Sequence, residues 1–159
     1  MGSKPTVATI GKYRMQATEL VSSQKAGIIP YVLNDDGIPV MYFMVPSDPA
    51  YGGTAPQIAK GNIDPGENAR QAAMREGNEE LGLIASNVTS IVSLPPYNIP
   101  GTFVTATMYV FVAKVASAEI FGKPHFETGA THWLTLEEFR SVGRASHIAL
   151  VTAAYALMK

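Results

Sequence analysis

Between Lys60 and Leu83 the chain reads KGNIDPGENARQAAMREGNEELGL, and the spacing of its charged residues is the strongest constraint in the sequence. A turn-forming stretch from Gly61 to Gly66 has Glu67 directly behind it. Asn68, followed three residues later by Gln71, gives a capping-box start for a helix, and Gly82 supplies its stop at about the C′ position. On that helix Glu79 and Glu80 lie about 60° and 40° to either side of Glu76. Three carboxylates therefore share one patch about a turn long. They repel one another, so either one takes up a proton or a cation sits among them. Hard oxygen donors of this kind suit Mg²⁺ or Mn²⁺, which usually also hold substrate phosphates. The competing reading is a solvated acidic face. Ala69, Ala72 and Ala73 fall on roughly the same side as Glu76 and Glu80, which turns that side toward the protein.

The rest of the composition limits what else the chain can be. Its 159 residues suffice for one domain with a proper core. Apolar residues make up 47% and charged residues 16%, an ordinary globular balance without the signature of disorder. Twelve basic residues against thirteen acidic ones leave a net charge of −1, so nothing favours bulk nucleic acid as a partner. No apolar run approaches the about 18 residues of a membrane span, and no signal peptide is expected. The absence of cysteine excludes disulfides and thiol catalysis and fits a reducing compartment, the cytoplasm. A homodimer is compatible with all of this.

Taken in order, the chain predicts a loose start over 1–10 and a first strand within Lys12–Val21, with Tyr13 and Met15. Ala26–Leu33 reads as a strand whose Pro30 favours an edge position or a bulge. Asn34-Asp35-Asp36-Gly37 is a hairpin turn, and Ile38–Val45 the returning strand. Ser47–Gln57, with its proline and paired glycines, predicts an irregular flap near the site. Tyr51 at its tip either stacks on a nucleobase or packs on its own loop. Ala69, Ala73 and Gly77 form a small-residue stripe that allows close approach of the helix to a sheet. Asn87–Leu94 reads as a short strand, Pro95–Gly101 as a stiff loop, and Thr102–Val115 as the longest strand, central because it is apolar on both faces. Ala130–Leu134 is a last strand. Thr135 and Glu138 cap a short helix ending near Gly143. Ser146–Met158 is a helix apolar on most sides and so largely buried. His125, His132 and His147 lack metal-ligand spacing and read as structural or exposed, and Trp133 as core. One α/β domain over 1–159, with a mixed sheet between helices, fits the pattern.

Written as G-x5-E-x7-R-E-x2-E-E-x-G-L, the Lys60–Leu83 stretch resembles the signature of the Nudix (MutT-like) hydrolases. Chance agreement at seven of its eight fixed letters, each at roughly 5–7% of usage, is a roughly 10⁻⁸ to 10⁻⁹ event per window. The strand, hairpin and C-terminal helix pattern around it resembles the family's layout, an α/β/α sandwich. The resemblance implies hydrolysis of a nucleoside diphosphate linked to another moiety, by water attacking a phosphorus held by divalent metal. It implies Glu76, Glu79 and Glu80 as metal ligands with the Lys60 carbonyl, and Glu76 as the general base. Arg75 would orient the glutamates, Gly61 would allow the tight turn, and Glu67 would pair with Arg75 at the helix start. Glu127, in HFETGATHW, is the candidate for a further acid from a late loop, against the reading of a solvated glutamate. Gly77 stands where the family usually has an aliphatic residue.

Lys60-Gly61 followed by Gly66-Glu67 resembles the form common in hydrolases of dinucleoside polyphosphates, diphosphoinositol phosphates and capped RNA, which favours dinucleoside polyphosphates. Lys60 would then bind a polyphosphate tail or simply line the rim. ADP-ribose, nucleotide-sugar and nucleoside-triphosphate pyrophosphatases are the alternatives, and a proline beyond the motif, here Pro95, Pro96 or Pro100, is an ADP-ribose cue. Tyr97 either stacks on a base or packs on Pro95 and Pro96. A nucleotide-binding sensor without turnover is a further alternative, although sensors usually lose glutamates that this chain keeps.

Overall fold

Apolar residues on alternate sides of the long strands dictate a sheet covered on both faces. The computed structural model describes residues 9–11, 13–14, 23–99 and 106–159. Two short strands, β1 (Thr9–Gly11) and β2 (Tyr13–Arg14), pair antiparallel, so Thr9 and Ile10 are in a strand rather than the expected loose start, whose other residues lie outside those described. The remainder of the first expected strand, Met15 included, lies outside the described residues. The main sheet contains β3 (Ser23–Leu33), β4 (Pro39–Pro46), β5 (Ala59–Asn62), β6 (Val88–Ser93), β7 (Tyr97–Ile99), β8 (Ala106–Val115) and β9 (Thr128–Leu134). Its order is β6-β8-β3-β4-β9, with β5 on β3 and β7 on β8. β3 and β8 run parallel and the other pairs antiparallel.

Among the described residues, three helices cover this mixed sheet. α1 (Ala69–Leu81) packs on β3 and β5, closing a core of Ala26, Ile28, Ala59, Ala72, Ala73, Leu81 and Leu83. On the other face α2 (Leu136–Val142) and α3 (Ile148–Tyr155) cover Ile29, Phe43, Met108, Val110 and Val112 with Phe139, Leu150 and Val151. Successive residues Ile28 and Ile29 enter opposite cores, as the pleat requires. The α/β/α sandwich is thus present.

Several expectations are corrected. β3 is interior rather than an edge, yet Pro30 falls between Ile28, the last residue paired to β5, and Tyr31, the first paired to β4. A residue without a partner on that flank can lack an N–H at no cost to that ladder. Pro95–Gly101 is not all loop, because Tyr97–Ile99 forms β7 on β8. β3, at 11 residues, exceeds β8 at 10, although β8 is interior as expected and 102–105 lie outside the described residues. The terminal helix begins only at Ile148, after a 3₁₀ turn over Ala145–His147, and buries one face while Ala149, Ala153 and Leu157 stay exposed. Trp133 is only partly buried, stacked on Tyr42 at 4.3 Å with Phe121 edge-on.

Gly77 sits where α1 comes nearest β3. A Cβ there would lie 2.8 Å from Ile28 Cγ2 and 3.0 Å from Leu83 Cδ2, both in fully buried side chains. Mid-helix glycine costs about 1 kcal/mol against alanine, but overpacking a filled core costs about 1–3 kcal/mol. Gly77→Ala is therefore expected to lower the urea midpoint despite its better helix propensity.

His147 is buried, and its Nδ1 accepts the Ile58 N–H at 3.1 Å, which fixes the neutral ring with its proton on Nε2. Burial, with Arg144 and Lys60 nearby, pushes its pKa down to about 3. The unfolded chain binds a proton at this residue below about pH 6.5 and the native state does not until about pH 3. Stability contributed here is complete above pH 6.5 and falls through that window by up to about 1.4 kcal/mol per pH unit. His147→Gln, whose amide oxygen can take the same N–H, is expected to flatten the slope of unfolding free energy between pH 6.5 and 4.

Candidate active site

The turn entering α1 is built to be shared between backbone and carboxylates. β5 pairs Gly61 with Ala26 of β3, and the Glu76 carboxylate occupies the space a Gly61 side chain would fill. This demand for close approach explains the glycine better than any turn geometry. The capping box forms as expected: Asn68 Oδ1 accepts the Gln71 N–H and Gln71 Oε1 the Asn68 N–H. Gly82, at φ 72°, ends the helix in the left-handed region with its N–H donating to Asn78.

Arg75 binds the parts together. Its Nε and Nη2 donate to the two oxygens of Glu67 at 2.8 and 2.9 Å, Nη2 also to the Asn62 carbonyl at 3.0 Å, and Nη1 to Glu76 Oε2 at 2.8 Å. Asp64 and Glu79 stand 3.4 and 3.5 Å from the same guanidinium. Hydrogen bonding to Arg75, with help from the Asp64 N–H, holds the Glu67 carboxyl down at about 2. Glu76, only 8% exposed, is pushed up by burial against the opposing pull of Arg75, with Glu79 and Glu127 adding repulsion. Glu80 is raised by burial to about 7, although its Oε1 accepts the Lys60 N–H at 3.0 Å. Burial and the neighbouring Arg144 and Lys25 lower the Lys60 ammonium.

Of these groups, Asn62, Glu76, Glu79, Glu80, Glu127 and Lys60 line one cavity of about 650 Å³. Glu76, Glu79 and Glu80 of α1 form one wall with Glu127, while Lys60, Gly61 and Asn62 of β5 form another. Tyr51, Ser47 and Asp48 close it from the flap, and Phe126 stands beside Glu127. The flap is more regular than expected: Pro49–Tyr51 is a 3₁₀ turn capped by Asp48, and Gln57 Nε2 donates to the Gly52 and Ala55 carbonyls. Arg144 Nη1 in turn donates to Gln57 Oε1. The late loop is fastened to the end of α1 by His125 N–H to Glu79 O, Thr128 Oγ1 to Glu80 O and Gly122 N–H to Gly82 O, at 2.7–2.8 Å.

The oxygen donors fit a hard divalent cation. Carboxylates pushed up by burial and by acidic neighbours are groups such a cation would relieve. As they stand, no three acidic or histidine side chains among the described residues converge closely enough to enclose a cation. Arg75 holds one oxygen of Glu76, and the Lys60 N–H holds one of Glu80.

Comparison with known proteins decides the lineage. The NUDIX domain family matches residues 25–153. The chain belongs to this family. NUDIX proteins depend on a divalent metal, in keeping with the donor set above. Over 80 residues the chain is 35% identical to the asymmetrical bis(5′-nucleosyl)-tetraphosphatase of Mus musculus, a match covering 50% of this chain and 54% of that protein. The chain thus spans about half the length of the curated relative it matches. Its fold resembles an Ap4A hydrolase of C. elegans in a binary complex, with TM-score 0.68, 18% identity, and coverage of 85% of this chain and 96% of that one. It also resembles the M. smegmatis Nudix hydrolase RenU, at TM-score 0.69, 16% identity, and 87% and 89% coverage.

Within this NUDIX domain the structure brings Glu76, Glu79, Glu80, Glu127, Lys60 and Tyr51 to one cavity, with Arg75 and Glu67 behind it. Tyr97 is not among the lining residues. It pairs with Met108, which pairs with Lys25, which pairs with Asn62, so two strands, β8 and β3, separate it from the cavity wall at β5. Of the histidines, His125 and His132 are exposed. Sequence reasoning missed β5 and Phe126. The signal for Phe126 was an aromatic beside the candidate acid in an otherwise polar stretch.

Replacing the guanidinium fork by an ammonium should release Glu67. In Arg75→Lys, its carboxyl, followed by carbon-13 NMR, is expected to protonate near the ordinary glutamate range of about 4.3, whereas wild type keeps it ionised well below that.

Proposed function

We propose that the protein is a metal-dependent pyrophosphohydrolase acting on nucleoside diphosphates linked to a second moiety, with dinucleoside polyphosphates as preferred substrates. The observation that carries this reading is the cavity in which Glu76, Glu79, Glu80 and Glu127 face Lys60. The similarity to an asymmetrical tetraphosphatase and the Lys60-Gly61 opening of the motif support the choice of substrate.

Glu76, Glu79 and Glu80, with the Lys60 carbonyl, would hold the metal, for which Mg²⁺ is proposed and Mn²⁺ is the alternative. Bound there, it would supply neutralisation of the pyrophosphate oxygens and acidification of water. The chain's own groups do the rest. Arg75 grips one oxygen of Glu76, and Glu76 would act as the general base that takes a proton from the attacking water. Glu127, which lines the same cavity, would serve as a further acid from the late loop. The Lys60 ammonium offers a partly desolvated cation to a phosphate oxygen, where its attraction is strongest. A cytoplasmic site of action accords with the cysteine-free chain, and no helix among the described residues is long and apolar enough to cross a membrane.

Glu80→Gln is expected to fold normally and to lose more than the about 10–100-fold typical of groups that merely support ligands. Unchanged turnover in the folded variant would remove Glu80 from the site. Substrate choice is read by hydrolysis of diadenosine tetraphosphate, ADP-ribose, nucleoside triphosphates and 5′-triphosphate RNA, with and without Mg²⁺ or Mn²⁺. A metal-dependent preference for the diadenosine compound, yielding ATP and AMP, is expected. Preference for ADP-ribose would keep the chemistry and overturn the substrate.

A further inference from the structure

Arg144 is half-buried, and the chemistry above gives it no task. Every side-chain ion pair among the described residues belongs to Arg75, so Arg144 has no acid partner there. Its Nη1 donates instead to a neutral acceptor, Gln57 Oε1, at 2.9 Å. Its backbone N–H donates to the Pro56 carbonyl at 2.8 Å, and His147, three residues on, takes the Ile58 N–H. The connector between α2 and α3 thus holds three consecutive residues, Pro56, Gln57 and Ile58, where the flap leads into β5.

Gln57 lines the cavity yet is only 2% exposed. Its Nε2 donates to the Gly52 carbonyl at 2.8 Å and the Ala55 carbonyl at 3.1 Å, and its backbone exchanges two bonds with Met44. Both amide hydrogens and the amide oxygen therefore have partners, and the side chain is scaffold rather than ligand. Arg144 decides which way that amide points. A guanidinium can only donate, so it must meet the oxygen, and this turns the NH₂ toward the flap. Flipped, the oxygen would face two carbonyl oxygens. The flap also lies close against this side chain, because a Cβ on Gly52, at φ 136°, would stand 2.4 Å from Gln57 Oε1.

We infer that Arg144 is a positioning residue for substrate binding: by fixing the direction of the Gln57 amide, it sets where the flap wall of the cavity stands. This rests on the reading of the cavity as a substrate site. The flap contributes Ser47, Asp48 and Tyr51 to the lining. Glu76, Glu79 and Glu80 stand on α1, and Arg75, not Arg144, holds Glu76 in place. The two arginines divide the work, one fixing the wall that reacts and the other the wall that holds the rest of the ligand. A misplaced flap weakens ground state and transition state alike, which raises KM and leaves kcat.

The test is a double-mutant cycle on the full chain with diadenosine tetraphosphate and Mg²⁺, beside hydrogen exchange of the flap amides in the free protein. Arg144→Met and Gln57→Leu are each expected to raise KM about tenfold, with kcat kept within about twofold. The double variant should be no worse than Gln57→Leu alone, because the two residues act as one unit. Arg144→Lys, whose ammonium is again only a donor, should recover most of the affinity. In Arg144→Met the Tyr51 and Gly53 amides should exchange faster while those of α1 do not change. Effects that multiply in the double variant would make Arg144 an independent charge and overturn the inference. So would a fall in kcat at constant KM, or faster flap exchange with KM unmoved. If wild type binds the diadenosine compound without turnover, the same cycle read on calorimetric affinity would keep the positioning role and lose the hydrolase assignment.

Discussion

One guanidinium decides where the site's wall stands. Arg75 joins the end of β5, through the Asn62 carbonyl, to the turn bearing Glu67 and to Glu76 on its own helix. Remove it, and the Glu67 and Glu76 carboxylates and the Asn62 carbonyl that meet there have no common donor or counter-charge. The pair with Glu67 is partly exposed to water, so its importance lies in orientation more than in stability. Bidentate geometry fixes a plane as well as a distance, and that plane carries Glu76 toward the cavity.

Close approach is the second constraint. α1 can present buried carboxylates only by lying against β3 and β5 without side chains between, and Gly77 and Gly61 mark the two points of contact. At the first, a helix backbone meets the Ile28 and Leu83 side chains. At the second, a strand backbone makes room for the Glu76 carboxylate itself. Neither glycine is there for a left-handed conformation, unlike Gly82.

Much of this was legible beforehand because it depends on local chemistry. Both capping boxes, the hairpin at Asn34-Gly37 and the clustering of Glu76, Glu79 and Glu80 follow from offsets of two to four residues. Elements that depend on distant partners were not legible. β5 is four residues, AKGN, with no alternating pattern, and exists because β3 leaves a flank open between Lys25 and Ile28. β7 hides in a proline-flanked stretch and forms because β8 extends past β6. The terminal helix misled through composition: alanine-rich apolar runs read as buried all round, yet alanine faces water at little cost. Tyr51 and Tyr97 looked alike as aromatic residues in turn-rich segments, and only topology separates the cavity mouth from a position three strands away.

The fastening of the late loop to the last turn of α1 has a mechanical side. Gly122, His125 and Thr128 take up carbonyls that a helix end would otherwise give to solvent. The loop therefore acts as the helix's C-terminal splint, and the two cannot loosen independently. Swinging the loop outward would bare the carbonyls of Glu79, Glu80 and Gly82 together and invite the final turn to fray. The flap, held by the side-chain amide of Gln57 and its partner Arg144, is joined to this same loop through the Ser47 N–H and the Glu127 carbonyl, so the two sides of the cavity are coupled.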